Sequence, residues 1–177
     1  SLDLKGSEYF TIHVRDIKTN EIITDKIENT SGSILFSLDD RFIFYSKLDE
    51  NHRPKKIFRH EIGKSIKEDL LIFEERTPAF TVSIGISADE KYYFINSSDH
   101  NTSEKYYFKS NESLPKPKIV RKREKGIIYS VSSWGGYFYI HTNKGAEDFK
   151  IERSRDIEAS KWEVFIPAKN ETMIGGL

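Results

Sequence analysis

The sequence predicts an all-β chain of repeated four-stranded antiparallel sheets: a partial β-propeller with three complete blades and a partial blade at each end. Three observations carry that expectation. Short runs rich in β-branched and aromatic residues alternate with turn-forming residues, as in antiparallel meanders. Their order recurs with a period of about 45–50 residues, the length of a propeller blade. The second run of each copy leaves a tight turn: Asp39-Asp40 into Phe42-Ile43-Phe44-Tyr45, Asp89-Glu90 into Tyr92-Tyr93-Phe94-Ile95, and Gly135-Gly136 into Tyr137-Phe138-Tyr139-Ile140.

Residues 1–28 read as the end of a blade. A strand at 7–17 alternates Tyr9, Thr11 and His13 against Phe10, Ile12 and Val14, and a turn at Lys18-Thr19-Asn20-Glu21 leads into a strand at 22–27. The blade at 29–76 takes runs at 34–38, 42–47, 56–62 and 69–73. The blade at 77–126 takes 80–86, 91–95, 103–109 and 116–121, and the blade at 127–171 takes 127–132, 137–141, 149–153 and 162–166. Residues 172–177 read as the start of the next blade. Both ends fall inside a repeat, so the chain is expected to be a piece of something larger.

The second runs are apolar at every position in the first two blades, which requires cover on both faces. Radially packed sheets provide it, each lying between neighbours. The fourth runs are more charged, as outer edges facing water should be.

Composition narrows the function classes. Lys and Arg number 28, Asp and Glu 28, and the net charge is zero, so neither nucleic acid nor an anionic membrane is favoured as a partner. Without cysteine, disulfides, thiolate metal sites and thiol catalysis are excluded. That absence leans towards a reducing, cytoplasmic setting. No apolar run is long enough to span a bilayer as a helix, and no signal-peptide pattern opens the sequence.

Particular residues add a resemblance. Arg53-Pro54, Ile57-Phe58-Arg59-His60 and Ile62-Gly63, followed by Asp69-Leu70-Leu71-Ile72-Phe73-Glu74-Glu75, resemble a blade of the oligopeptidase B (protease II) branch of the prolyl oligopeptidase family. Tyr9-Phe10-Thr11-Ile12 with Arg15-Asp16, Asn101-Thr102-Ser103-Glu104, Thr142-Asn143 with Gly145-Ala146 and Phe149, and Trp162-Glu163 to Ile166-Pro167 extend the likeness over nearly the whole chain. The resemblance implies a seven-bladed propeller capping an α/β-hydrolase domain, in a serine peptidase that cleaves short peptides after Arg or Lys. The chain departs from that family in chemistry. No Gly-x-Ser-x-Gly elbow is present, and the nearest candidates, Gly32-Ser33 and Gly85-Ile86-Ser87, lack the second glycine. The chain alone is therefore expected to be inactive.

No catalytic, cofactor-binding or metal residue is assigned. His13, His52, His60, His100 and His141 are scattered without ligand spacing, and His60 and His141 read as structural. The basic run PKPKIVRKREK at 115–125 reads as a solvated outer strand. Asn29, Asn96, Asn101, Asn111 and Asn170 open sequons that arise by chance in so polar a chain, and no glycosylation is read from them. Asp39, Asp40, Asp89 and Glu90 lack calcium-loop spacing and read as turn formers. The loops after second strands, carrying Asp49 and Asp99, are the rim-contact candidates. The partners expected are a separate α/β-hydrolase domain and short peptides, with self-association through open blade faces. The alternative is a stand-alone β-repeat interaction module.

Overall fold

The strand at Phe42–Leu48 shows what organises the molecule: Ile43, Phe44, Tyr45 and Ser46 are all buried, so both faces of the sheet are covered. The computed structural model describes residues 1–177, the side chain of Thr24 excepted. It divides into two compact units, Ser1–Ile84 and Gly85–Leu177.

The first unit holds β1 (Phe10–Arg15), β2 (Ile22–Phe36), β3 (Phe42–Leu48), β4 (Pro54–Glu61) and β5 (Leu70–Glu74), paired antiparallel in that order. A single 3-10 turn, Ile66–Glu68, precedes β5. Its core on one face is Ile12, Ile27, Ile43 and Tyr45, flanked by Val14, Phe58 and Ile62. The ring of Tyr45 stacks on its cross-strand neighbour Phe58 at 5.6 Å.

The blade limit read between residues 28 and 29 falls inside a strand. Residues 22–27 and 34–38 were expected as separate strands, yet β2 is one strand of 15 residues. Its first half pairs with β1 (Ile12↔Ile27, Arg15↔Ile22) and its second half with β3 (Ile34↔Tyr45, Phe36↔Ile43). Asn29 and Gly32, which resemble turn residues, instead take φ of 60° and 83° and produce a register shift between Thr30 and Ile34. Glycine is required at 32, because a Cβ there would meet the Phe10 ring at 2.7 Å.

Two further antiparallel sheets follow. One orders β6 (Thr81–Ile86), β7 (Tyr92–Ser98), β8 (Ser103–Lys109) and β9 (Lys118–Arg121); the other orders β10 (Tyr129–Trp134), β11 (Tyr137–Thr142), β12 (Lys150–Ser154) and β13 (Glu163–Ile166). Within the second unit these sheets pack face to face. Phe94 and Tyr107 from one meet Phe138 and Ile157 from the other, and Tyr92 meets Phe138 edge-on at 5.0 Å. Successive antiparallel sheets stacked this way are propeller blades, as the repeat predicts.

The entry turns differ in chemistry while doing one job. Ser37 Oγ donates to Asp39 Oδ1 (2.6 Å) and accepts from Phe42 N (2.9 Å). Ser87 Oγ does the same with Asp89 Oδ1 (2.9 Å) and Tyr92 N (3.1 Å). Asp40 and Glu90 sit at φ of 55° and 59°. In the third blade Gly135 and Gly136, at φ of 61° and 80°, close a two-residue hairpin between Trp134 and Tyr137.

The C-terminal residues 172–177 form no strand. They fold back on the third sheet: Ile174 N donates to Asp148 O at 3.0 Å, and His141 Nε2 donates to Ile174 O at 2.7 Å.

Candidate functional site

The two rim candidates are turn-closing carboxylates. Asp49 Oδ1 accepts the backbone N–H groups of Asn51 and Arg53, both at 2.9 Å. Asp99 Oδ1 accepts those of Asn101 (3.0 Å) and Thr102 (2.8 Å). Each holds the loop after a second strand as an Asx turn. The structure brings neither together with another candidate residue.

The residues carrying the family resemblance converge on the connections between sheets. Gly126, between β9 and β10, donates its N–H to Thr102 Oγ1 (3.1 Å), and its carbonyl accepts from Asn143 Nδ2 (2.9 Å). Asn143 Oδ1 accepts from Ile128 N, and Ser103 Oγ accepts from Tyr129 N at 2.7 Å and donates to Tyr129 O at 3.1 Å. In the first unit, Arg53 Nη1 donates to Pro78 O at 2.7 Å. Lys55 Nζ donates to the carbonyls of Thr77, Pro78 and Phe80. Backbone groups leaving a sheet have no ladder partner, and these side chains satisfy them.

Two buried ionic nodes escaped the sequence reading as pairs. In the first unit, His60 is fully enclosed. Its Nδ1 lies 2.6 Å from Asp69 Oδ1 and its Nε2 lies 3.1 Å from Asp25 Oδ2, the latter too poorly aligned for a hydrogen bond. Tyr45 Oη donates to Asp69 Oδ2 at 2.8 Å and Gly63 N to Asp25 Oδ2 at 2.5 Å. Burial by itself would lower the imidazole pKa, but the hydrogen bond to Asp69 and the charges of Asp69 and Asp25 outweigh it and raise it above the ordinary value. Burial, then the Asp69 carboxylate, lifts the Tyr45 phenol well beyond its usual range.

In the second unit, Glu104 accepts from Arg123 Nε (3.0 Å), Nη2 (2.6 Å) and backbone N (3.0 Å), and from Tyr106 Oη (2.8 Å). Burial would raise this carboxylate's pKa, but Arg123 and Tyr106 hold it below the ordinary value. Nearby, Tyr129 Oη donates to Arg121 O and accepts from Lys105 N. Arg121 pairs with Glu152 at 3.0 Å and lies over the Trp162 ring. The 115–125 run is thus only partly solvated. Its lysines 116, 118, 122 and 125 face water, while Arg121 and Arg123 turn inward. Lys105 is pushed down to about 8 by burial, with Asn96 Oδ1 as its hydrogen-bond acceptor.

None of this is a nucleophile site. Ser87 is buried in its turn, Ser33 is exposed on β2, and the enclosed His60 reaches no hydroxyl that it could activate. Among the described residues no group of three His, Cys, Asp or Glu is placed to hold a metal ion. His13 and His100 are exposed, and His52 packs on Tyr9 at 4.0 Å. The arrangement fixes sheets and their connections.

Comparisons with known proteins agree with the geometry. The family model described as prolyl oligopeptidase, N-terminal beta-propeller domain, matches residues 1–177. Protease 2 of Moraxella lacunata is 35% identical over 84% of this chain and 22% of its own length; Dipeptidyl aminopeptidase BI of Pseudoxanthomonas mexicana is 26% identical over 98% and 24%. The structure of oligopeptidase B from Leishmania major superposes with a TM-score of 0.89 at 31% identity, covering 94% of this chain and 24% of that one. The chain therefore spans about a quarter of the length of the proteins it matches. A propeller family model that matches this chain from residue 1 to 177, together with the stacked blades, means that the chain belongs to the prolyl oligopeptidase family, as part of its N-terminal β-propeller domain and similar to that of oligopeptidase B.

Proposed function

We propose that this chain is the non-catalytic, substrate-filtering part of an oligopeptidase B-like serine peptidase. It lies over a separate α/β-hydrolase domain in a reducing compartment, admits short peptides and keeps folded proteins from a catalytic site that cleaves after Arg or Lys. The observation that carries this reading is the match to Leishmania major oligopeptidase B, with a TM-score of 0.89, by a chain without a Gly-x-Ser-x-Gly elbow. The build of the site supports it. The polar side chains are spent on turns and on the connections between sheets, which suits a rigid filter, and the loops held by Asp49 and Asp99 are its contact points with the hydrolase domain or peptide.

The test has two arms. The 177-residue chain alone should hydrolyse Arg- or Lys-amide substrates no faster than buffer. Exchanged for the matching segment of the Moraxella lacunata protease, it should preserve cleavage of short peptides and the refusal of folded proteins. A chimera that folds yet digests folded proteins as readily as peptides overturns the filtering role. Serine-inhibitor-sensitive turnover by the chain alone overturns its non-catalytic assignment.

A further inference from the structure

We propose that the Asp25–His60–Asp69 bridge is a pH-sensitive latch holding a two-stranded arm, β1 with the first half of β2, onto the remainder of the first sheet.

The topology defines the arm. From Thr30 towards Phe36, β2 pairs with β3; from Thr30 back to Ile22 it pairs, among the described residues, with β1. Side chains of this stretch reach the rest of the first unit. Ile12 and Ile27 pack against Ile43 and Tyr45, and Asp25, two residues from Ile27, reaches His60 on β4 and the N–H of Gly63. Asp69, just before β5, takes the opposite side of the imidazole and is itself held by Tyr45 on β3. The bridge therefore ties β2 to the β4–β5 corner, elements that are not ladder neighbours. The titratable groups facing His60 are Asp25, Asp69 and, through Asp69, Tyr45.

An imidazolium holds Asp69 by a hydrogen bond and Asp25 by charge, with an N–H on each ring nitrogen; a neutral imidazole carries only one N–H and no charge. The shorter contact, 2.6 Å to Asp69, keeps that proton. Nε2 then turns a lone pair on the Asp25 carboxylate at 3.1 Å, and two carboxylates share a pocket in which their side chains are only 2% and 4% exposed. Attraction at the arm becomes repulsion. Because the folded imidazole pKa is raised above 6.5, the grip is complete below that value and is lost as pH rises through the folded pKa.

The test uses the full 177-residue chain. Followed by 15N shifts, His60 should have both ring nitrogens protonated at mildly acid pH and should lose one proton with a midpoint above 6.5. Amide exchange of residues 22–27, normalised for intrinsic rates, should accelerate relative to β3 and β4 between mildly acid and alkaline pH, about tenfold for each unit by which the pKa is raised. Asp25→Asn, whose amide can donate to the neutral Nε2, should flatten that dependence to within about threefold. An imidazole midpoint at or below 6.5, or protection of residues 22–27 in the wild type that is indifferent to pH, overturns the latch. If Asp25→Asn fails to fold, the two wild-type readouts decide alone.

Discussion

The two units solve one problem with different ion pairs. Each buries a carboxylate that ties a late segment of a sheet to an inner strand: Asp69 through His60 in the first, Glu104 through Arg123 in the second. An imidazole can change its charge within the working pH range and a guanidinium does not. The His60 node also holds two acids on one base, whereas the Glu104 node adds a neutral phenol, Tyr106, to one acid and one base. Geometry that looks equivalent thus gives the units opposite pH weaknesses. A fully enclosed base is also a larger liability than one that water can reach.

The comparison is broken hardest by removing each base. His60→Leu leaves Asp25 and Asp69 facing each other without a cation, and should destabilise the first unit by about 3–5 kcal/mol. Arg123→Met should cost the second unit less, about 2–3 kcal/mol, because the Arg123 side chain is 27% exposed and water can reach Glu104 in its place. Both tryptophans, Trp134 and Trp162, lie in the second unit, so denaturant unfolding followed by tryptophan fluorescence reads Arg123→Met. Amide exchange in β3 and β4 reads His60→Leu. Equal costs would mean that burial does not set the difference.

Titration sharpens the contrast without mutation. The raised His60 pKa places the first unit's loss on the alkaline side, as pH climbs through the folded value. Glu104 is lowered from 4.5, so its contribution is whole above that value and disappears as pH falls through the folded pKa. Tryptophan fluorescence should therefore report acid-side weakening, and exchange in the first unit alkaline-side weakening. Parallel losses in both units would show that neither node governs.

Why these nodes were invisible in the sequence is physical. The strands were legible because burial on both faces imposes apolar runs and turns impose Asp, Asn and Gly; the run at 103–109 is β8 to the residue. The blade limit at residues 28 and 29 was missed because one continuous strand, β2, runs through it, with Asn29 and Gly32 at positive φ taking up the irregularity inside the strand. His60 meets partners 35 residues before it and 9 after, and Arg123 meets Glu104 from 19 residues away. Such distances carry no local periodicity. Only the inward alternation of Arg121 and Arg123 around exposed Lys122 could have signalled that the basic run was not all solvated.

A smaller effect separates the entry turns. Asp39→Ala and Asp89→Ala each remove the acceptor of a serine hydroxyl, and each should lower stability. Asp89 should cost more, since its Oδ1 also accepts from Ser133 Oγ on the neighbouring sheet at 2.5 Å. In chemical denaturation the Asp89 variant should unfold at lower denaturant than its counterpart relative to each unit's own midpoint. The reverse order would mean that the link between sheets adds nothing.

The smallest expected effect concerns Asp49 and Asp99, and it separates holding a turn from touching a partner. Asparagine keeps the Oδ1 acceptor that the loop N–H groups use and removes the charge, so Asp49→Asn and Asp99→Asn should each change stability by less than about 0.5 kcal/mol. Lysine removes the acceptor as well, so loss of peptidase activity in a lysine variant could come from a disordered loop. The asparagine variants in the chimeric peptidase are therefore decisive: with the loops intact, altered kcat/KM for basic peptides means that the carboxylates meet substrate or the hydrolase domain. Unchanged kinetics confine both residues to their turns, and the contacts of the proposed filter must then come from other rim side chains.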